Sequence, residues 1–294
     1  MTLRCFVNCP AYRLTDEAHS GRAQAAAQAL AGELGWQCTF AASLSDHHGI
    51  GCWPSREQRL SEALQALEHE FWWPARGGYG CTELAAELLP SLPARTTLIG
   101  YSDITALHAA WIISDSCESI YAMMPGVSAG QRAHQSLTAC LSGSALSLSS
   151  ATTPGTSLRR GTASGPIFAA CLRVLASLVG GPLMPELRGR ILAIEDIDER
   201  AYAVDRDLRQ LHLAGCLEGI TGLVGGAFPC DDPEGYAGPG VGEVLEHWAS
   251  TLGIPAMWQL PFGHDPDPLA LINGRQSTLT VGADDWTLVQ AERG

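Results

Sequence analysis

Leu98-Ile-Gly-Tyr-Ser102-Asp103-Ile-Thr105 is the stretch that decides how the rest of the chain reads. The apolar run Thr96-Thr97-Leu98-Ile99 predicts a short buried strand, and Gly100 ends it. Asp103 and Thr105 then open an amphipathic helix through Leu107, Ala110 and Trp111. A serine at a strand-to-helix turn is lifted out of the sheet, beside the first N–H groups of the helix. That position suits a nucleophile, because those groups can stabilise an oxyanion. The turn has the outline of a nucleophile elbow, with Ile104 where the second glycine of G-x-S-x-G would stand. The competing reading makes Ser102 a helix N-cap and nothing more.

Upstream, strands and helices alternate. Leu3 to Val7 is predicted as a strand closed by Asn8-Cys9-Pro10. Thr15-Asp16-Glu17 starts a helix that Gly35 stops. Cys38 to Leu44 is a second strand, and the loop 45–54 carries His47-His48, read as a solvated pair rather than a metal site. Ser55 with Gln58 resembles a capping box before a helix through Leu60, Leu64 and Leu67. Phe71-Trp72-Trp73 is a strand, Arg76-Gly-Gly-Tyr-Gly80 its loop, and Glu83 to Leu89 a short helix. This alternation predicts a doubly wound parallel sheet, with the site outside the carboxyl ends of its strands. The Arg76 loop and Ser102 should therefore meet at one edge.

Between 136 and 164 the composition turns to Ser, Thr, Gly and Ala, which predicts a linker. It divides an N-terminal domain, 1–135, from a C-terminal domain, 165–294. In the second half an apolar helix is expected over Ile167–Val179, then a strand Arg190–Ile194 ending at Glu195-Asp196. A helix Asp205–Cys216, a strand Ile220–Phe228, a helix Gly242–Leu252 and a strand Ile254–Leu260 follow, the last running into Pro261-Phe262-Gly263-His264. The tail reads as all-β, with Asn273-Gly274 as a hairpin turn between Leu269–Ile272 and Ser277–Val281, then Trp286–Val289.

The 294 residues, 46% hydrophobic and 17% charged, describe a globular chain with room for two domains. A net charge of −13 argues against nucleic acid and anionic membrane surfaces as partners, since both demand clustered Lys and Arg. The 10 cysteines are scattered, without C-x-x-C or Cys/His ligand spacing, and read as buried thiols of a reducing compartment. The N-terminal residues lack signal-peptide architecture, and no apolar stretch approaches the roughly 20 residues of a membrane span. The expected location is the cytoplasm.

Three stretches, in this order and spacing, resemble one family. They are Ala75-Arg-Gly-Gly-Tyr-Gly80 followed by Gly100-Tyr-Ser-Asp-Ile-Thr105; Ile191-Leu-Ala-Ile-Glu-Asp196 with Val204-Asp-Arg-Asp-Leu-Arg-Gln-Leu211; and Leu260-Pro-Phe-Gly-His264. Together they are similar to the LD-carboxypeptidases, serine peptidases that include the microcin C immunity peptidases. The resemblance implies a flavodoxin-like N-terminal domain bearing the nucleophile and a smaller C-terminal β/α domain of swivelling type. It implies Ser102 as nucleophile, Glu195 as the acid and His264 as the base, with no metal or other cofactor. It further implies a small muropeptide-like substrate and, as in many members, a homodimer.

The chemistry of those residue types agrees with the assignment. A serine hydroxyl needs a base to take its proton, histidine titrates near the operating pH, and a carboxylate fixes its tautomer. The oxyanion donors are expected to be the Asp103 N–H and a glycine N–H of the Arg76 loop, with Gly78 preferred to Gly77. Arg76 suits the substrate's terminal carboxylate, against an ion pair that merely holds the loop. Asp205-Arg206 is expected as a structural salt bridge.

The chain departs from the family pattern at Asn8-Cys9-Pro10-Ala11, Trp72-Trp73-Pro74, Ser164-Gly165-Pro166-Ile-Phe168 and Pro268-Leu-Ala-Leu-Ile-Asn-Gly274. These leave the triad intact and touch substrate identity. The leading reading is a metal-independent carboxypeptidase that releases a C-terminal D-residue from an L–D bond, as in murein tetrapeptide recycling. A microcin-immunity-like amide hydrolase with the same triad comes second. A binding protein that has lost turnover comes third.

Overall fold

The computed structural model describes residues 2–46, 51–92, 95–114, 118–231 and 233–292. The histidine pair at 47–48 lies outside them. Two sheets share the chain. The first is built from β1 (Arg4–Val7), β2 (Gln37–Phe40), β3 (Phe71–Trp72), β4 (Thr97–Gly100) and β5 (Ser119–Tyr121). All pair in parallel, in the spatial order β5-β4-β3-β1-β2. Cys5, Phe6 and Val7 are all buried, the continuous apolar run that a strand covered on both faces requires.

Helices α1 (Glu17–Leu34), α2 (Arg56–Ala66), α3 (Cys81–Leu88) and α4 (Thr105–Ser114) make the crossovers. Their ends follow local chemistry. The Asp16 carboxylate accepts the His19 N–H, and Gly35, at φ 69°, turns its N–H back onto the carbonyls of Ala31 and Gly32. Strand order reverses between β1 and β3, so the loops after these two strands form the crevice where such sheets place a ligand.

Residues 136–164 are not a linker. They hold the end of α5 (Gln131–Leu141), β6 (Leu146–Ser149), β7 (Thr156–Arg159) and the start of β8 (Gly161–Cys171). Alternating small polar residues serve here as half-exposed edge strands, which composition alone does not separate from a linker. The helix expected over 167–179 is likewise corrected. Ile167 to Cys171 continue β8, and only α6 (Leu172–Ser177) is helical. A short apolar run without periodicity fits a central strand as well as a buried helix, and parallel pairing of Ile167–Cys171 with β9, continuing the strand that β13 pairs over residues 161–166, decided for the strand.

The second sheet adds β9 (Ile191–Glu195), β10 (Gly222–Gly225) and β11 (Ala256–Trp258), linked through α7 (Ala201–Leu213) and α8 (Val241–Leu252). β8, β9, β10 and β11 are mutually parallel, so β9 ends at Glu195 on the same edge from which β11 leads to His264. After them come β12 (Leu271–Asn273), β13 (Gln276–Val281) and β14 (Trp286–Gln290). The eight strands lie in the order β6-β14-β13-β8-β9-β10-β11-β7.

Asn273-Gly274 turns the chain but does not close a hairpin. β12 pairs antiparallel with β5 of the first sheet, whereas β13 pairs with β8 and β14. Gly274 takes φ 84°, as the turn requires, and the chain passes between sheets there. The Asn273 side chain, fully buried, accepts the Ala169 N–H at 2.6 Å and donates to the Ala169 carbonyl at 3.2 Å. The Arg275 guanidinium grips the Glu118 carboxylate with two nitrogens beside it. The turn signal was local, and tertiary packing chose the strand's partner.

Candidate active site

Ser102 sits between β4 and α4, at the start of a 3-10 turn over Ser102–Ile104. Its φ is 64°, a left-handed value that costs a non-glycine residue energy and persists only when its surroundings enforce it. Gly77 is part of that enforcement. A methyl group on Gly77 would lie 2.9 Å from Ser102 Cβ and 3.0 Å from Oγ, so only glycine lets the loop approach the serine. The same point is 3.4 Å from the Asp103 nitrogen. The Asp103 carboxylate turns away from the site and accepts the Cys81 N–H at 2.9 Å, capping α3. Burial raises its pKa above the ordinary carboxylate value.

Glu195 ends β9 and is fully buried. A buried carboxylate is costly unless its oxygens are occupied, and here they are. Oε2 accepts both the backbone N–H of His264 at 2.9 Å and its Nδ1 at 2.6 Å, and Oε1 accepts the Tyr121 hydroxyl at 2.5 Å. With the Nδ1 proton given to Glu195, His264 Nε2 keeps its lone pair. Burial alone lowers the imidazole pKa. The Glu195 charge and hydrogen bond, with Asp196 and Asp198 behind them, outweigh it, and the pKa is raised. Gly263, at φ 78°, makes the contact feasible, because a Cβ there would fall 2.1 Å from Glu195 Cγ.

The neighbouring carboxylate has a different task. Asp196 accepts the Arg173 N–H at 2.7 Å and the Ile197 N–H at 2.9 Å, so it caps α6. Burial, then the Glu195 charge, pushes its pKa up to about 6.

Tyr121, at the end of β5, joins the two halves of the site. Its hydroxyl donates to Glu195 and accepts the Ser102 N–H at 3.2 Å. The Tyr101 ring packs edge-on against His264, with centroids 4.9 Å apart. Glu195 and His264 are thus in direct contact, and Ser102 is tied to them through Tyr121. Among the described residues no hydrogen bond links Ser102 Oγ to His264 Nε2 directly.

The Arg76 loop lies beside this group. Gly77 abuts Ser102, whereas a methyl group on Gly78 would strike the Tyr12 ring at 2.3 Å. The Arg76 guanidinium stands 5.7 Å from the Tyr12 ring centre and donates to the Arg13 carbonyl at 3.2 Å. Among the described residues it has no carboxylate partner, so the loop is not held by an ion pair from Arg76. Tyr12 stacks on Trp53 at 6.0 Å, and Trp53 meets Tyr79 edge-on at 5.5 Å. Trp53 and Tyr79 are exposed.

A cleft of about 520 Å³ opens on the His264 side, walled by His264, Phe228, Trp258, Leu260, Pro261 and Arg132, among others. Ser102 is not one of its walls. Tyr121, Gly263 and Arg132 escape a reading of the sequence alone. A strand of three residues gave little pattern for Tyr121, although a tyrosine closing a strand next to β4 must fall at the ligand edge. Asp205-Arg206 also differs from expectation. Asp205 pairs with Arg209 and with the Trp248 indole, and Arg206 lies over Tyr202.

Fold and site together define a two-sheet α/β protein in which Ser102, Tyr121 and Glu195 lie at the carboxyl ends of two parallel strand sets. The sequence profile of the LD-carboxypeptidase N-terminal domain matches residues 6–122, and that of the LD-carboxypeptidase C-terminal domain matches residues 164–279. A Streptomyces coelicolor protein provisionally named a carboxypeptidase is 32% identical over 222 residues, 73% of this chain and 70% of its own length. A Bacillus subtilis protein provisionally named a murein peptide carboxypeptidase is 29% identical over 269 residues, 88% of this chain and 84% of its own. The muramoyltetrapeptide carboxypeptidase of Oxalobacter formigenes superposes with a TM-score of 0.84 at 23% identity, covering 98% of this chain and 99% of that one. A MccF-like protein of Bacillus anthracis str. Ames gives 0.81 at 19% identity, covering 99% and 97%. The chain belongs to the LD-carboxypeptidase family, a family of peptide hydrolases. Among the described residues no helix is long and apolar enough to cross a membrane.

Proposed function

We propose that this chain is a metal-independent serine carboxypeptidase that cleaves an L–D amide bond and releases a C-terminal D-amino acid. Murein tetrapeptide is the leading substrate, with tripeptide and D-Ala as products. The observation that carries the reading is the pairing of His264 Nδ1 with buried Glu195, next to a serine held at positive φ. That pairing occupies Nδ1 and leaves Nε2 as the ring nitrogen free to act as the base. The relatives named for murein peptides support the substrate class.

Ser102 Oγ attacks the carbonyl carbon as its proton passes to His264 Nε2. The resulting oxyanion is held by the Asp103 N–H and a glycine N–H of the Arg76 loop. Gly77 gives its carbonyl to the Tyr12 N–H, and a trans peptide then turns the Gly78 N–H away from Tyr12. Gly78 therefore remains the preferred donor. The C–N bond breaks, His264 hands its proton to the leaving amine, and a serine ester remains. Water, deprotonated by His264, attacks the ester and frees Ser102. Before this chemistry Ser102 Oγ and Nε2 must close into a hydrogen bond, as commonly happens when substrate binds. Arg76, which has no acidic partner among the described residues, is a substrate-carboxylate ligand.

The test is mass-resolved hydrolysis of murein tetrapeptide by wild type and Ser102→Ala, with EDTA present. Tripeptide and D-Ala from wild type alone are expected. Equal turnover by Ser102→Ala would overturn the mechanism. The exposed faces of Trp53 and Tyr79 favour one competing substrate, an acyl-sulfamoyl nucleotide whose base would stack there. Its hydrolysis in place of tetrapeptide would change the substrate and keep the triad.

A further inference from the structure

We infer that Arg132, rather than Arg76, holds the terminal carboxylate of the substrate and so makes the enzyme act at chain ends. The inference rests on the carboxypeptidase reading above. In a C-terminal residue the amide nitrogen and the carboxylate carbon flank one Cα and lie about 2.5 Å apart. His264 must reach that nitrogen to protonate it as it leaves. The cation that holds the carboxylate must therefore line the same cleft as His264.

Arg132 does so, and among the described residues it is the one lysine or arginine in the walls of that cleft. Its geometry is fixed from behind. Nη2 donates to Asp265 Oδ1 at 2.7 Å, and Nε donates to the Asp267 carbonyl at 2.7 Å. The Asp267 carboxylate in turn accepts the N–H groups of Arg132 and Ala133, at 3.1 and 2.8 Å, and caps α5. The loop that follows His264 is thus clasped to the first turn of α5. Among the described residues nothing accepts from Nη1, so that nitrogen's two N–H groups are left for a ligand.

Arg132 is ion-paired with Asp265, which shares the cleft wall, so what it offers an incoming carboxylate is the pair of hydrogen bonds from Nη1, held in place by that pairing. Arg76 belongs elsewhere. It is absent from the walls of the His264 cleft, sits over Tyr12, and suits a carboxylate further up the peptide.

The experiment compares kcat/KM for tetrapeptide free acid and for its C-terminal amide in wild type, Arg132→Gln, Arg132→Lys and Arg76→Gln. Loss of a charged hydrogen bond predicts that Arg132→Gln lowers the free-acid value about 10- to 100-fold. Hydrolysis of the amide should barely change, so the preference for the acid collapses. Arg76→Gln should keep that preference while weakening both substrates. An equal loss on acid and amide in Arg132→Gln would mark a purely structural residue and overturn the inference. So would collapse of the preference in Arg76→Gln with retention in Arg132→Gln. If Arg132→Gln does not fold, Arg132→Lys decides: a reduced acid preference supports the anchor, and a wild-type preference overturns it. A wild type that cleaves neither substrate would sink the carboxypeptidase reading itself, and the inference with it. Wild-type activity with an unmoved ratio would sink the inference alone.

Discussion

The Tyr121 hydroxyl lies 2.5 Å from Glu195 Oε1 and receives the Ser102 N–H on its other side. One phenol therefore sets both the carboxylate that orients His264 and the backbone of the serine turn. Tyr121→Phe leaves Glu195 Oε1 buried without a partner, at a cost of about 1.5–3 kcal/mol for a bond to a charged group. We expect kcat/KM to fall about 10- to 100-fold, with a matching loss in denaturant stability. Steady-state kinetics beside a urea melt reads both. Unchanged kinetics would remove Tyr121 from the site.

As the proposed base, His264 must be neutral to accept a proton; burial lowers its pKa, and the Glu195 charge and hydrogen bond outweigh this and raise it. The acid limb of kcat/KM should therefore lie above the roughly 6.5 of a free imidazole. Glu195→Gln removes the raising charge and leaves the burial, so the His264 titration should move to lower pH. NMR titration of the ring protons reads this even in a slow variant. The sign for stability follows from the same direction. A raised histidine stabilises the fold below its unfolded pKa, and that contribution fades as pH climbs through the folded one.

Asp196 acts on stability in the same sense. Its pKa of about 6 in the folded chain exceeds the ordinary 3.8, so the native state holds the proton more tightly than the unfolded one. The associated stability is present below about 3.8 and lost as pH rises through about 6. Thermal melts between these limits should lose part of their pH slope in Asp196→Asn. An identical slope would exclude Asp196 as its source.

Two glycines carry steric predictions. Gly263→Ala places a methyl group 2.1 Å from Glu195 Cγ on a backbone at φ 78°. We expect at least about 1–3 kcal/mol of destabilisation from overpacking, and loss of activity as Glu195 and His264 separate. Gly77→Ala meets Ser102 Cβ at 2.9 Å without a positive φ, so it should retain more stability than Gly263→Ala while still displacing Ser102. Equal melting temperatures with full activity in either variant would refute this account.

Asn273 is buried and bonded at both polar ends to Ala169. Asn273→Ala should cost about 1–3 kcal/mol, because it leaves backbone groups of β8 unpaired. Chemical denaturation would measure this. A neutral outcome would mean that the crossing between sheets is held elsewhere.

Much of the first sheet was legible because its punctuation is local: Asp16 and Gly35 bound α1, and Gly100 ends β4. The strand ends near Ser102 and Glu195 were legible because short apolar runs precede them, whereas the roles expected of Ser102, Glu195 and His264 came from the resemblance of the motifs around them. Tyr121 was not legible, since three residues of strand carry no period. Ile167–Cys171 was misread because an apolar run shows no preference between helix and central strand. Asn273-Gly274 was misread because turn chemistry fixes a bend, while packing fixes the partner. Gly77 and Gly78 are identical in sequence, and only the neighbours Ser102 and Tyr12 distinguish them.

The passage of β12 into the first sheet means that the two halves are not interchangeable modules. An amino-terminal fragment ending near residue 162 would carry β5 with its outer hydrogen-bonding edge bare. Bare edges recruit other chains, so such a fragment should aggregate rather than fold alone. Supplied with the remaining residues in trans, it should be rescued, because the missing three-residue strand would return with Asn273 already aimed at Ala169. Ser102 and His264 are therefore inherited together or not at all, and a recombination event between the halves would have to carry one strand back across the cut.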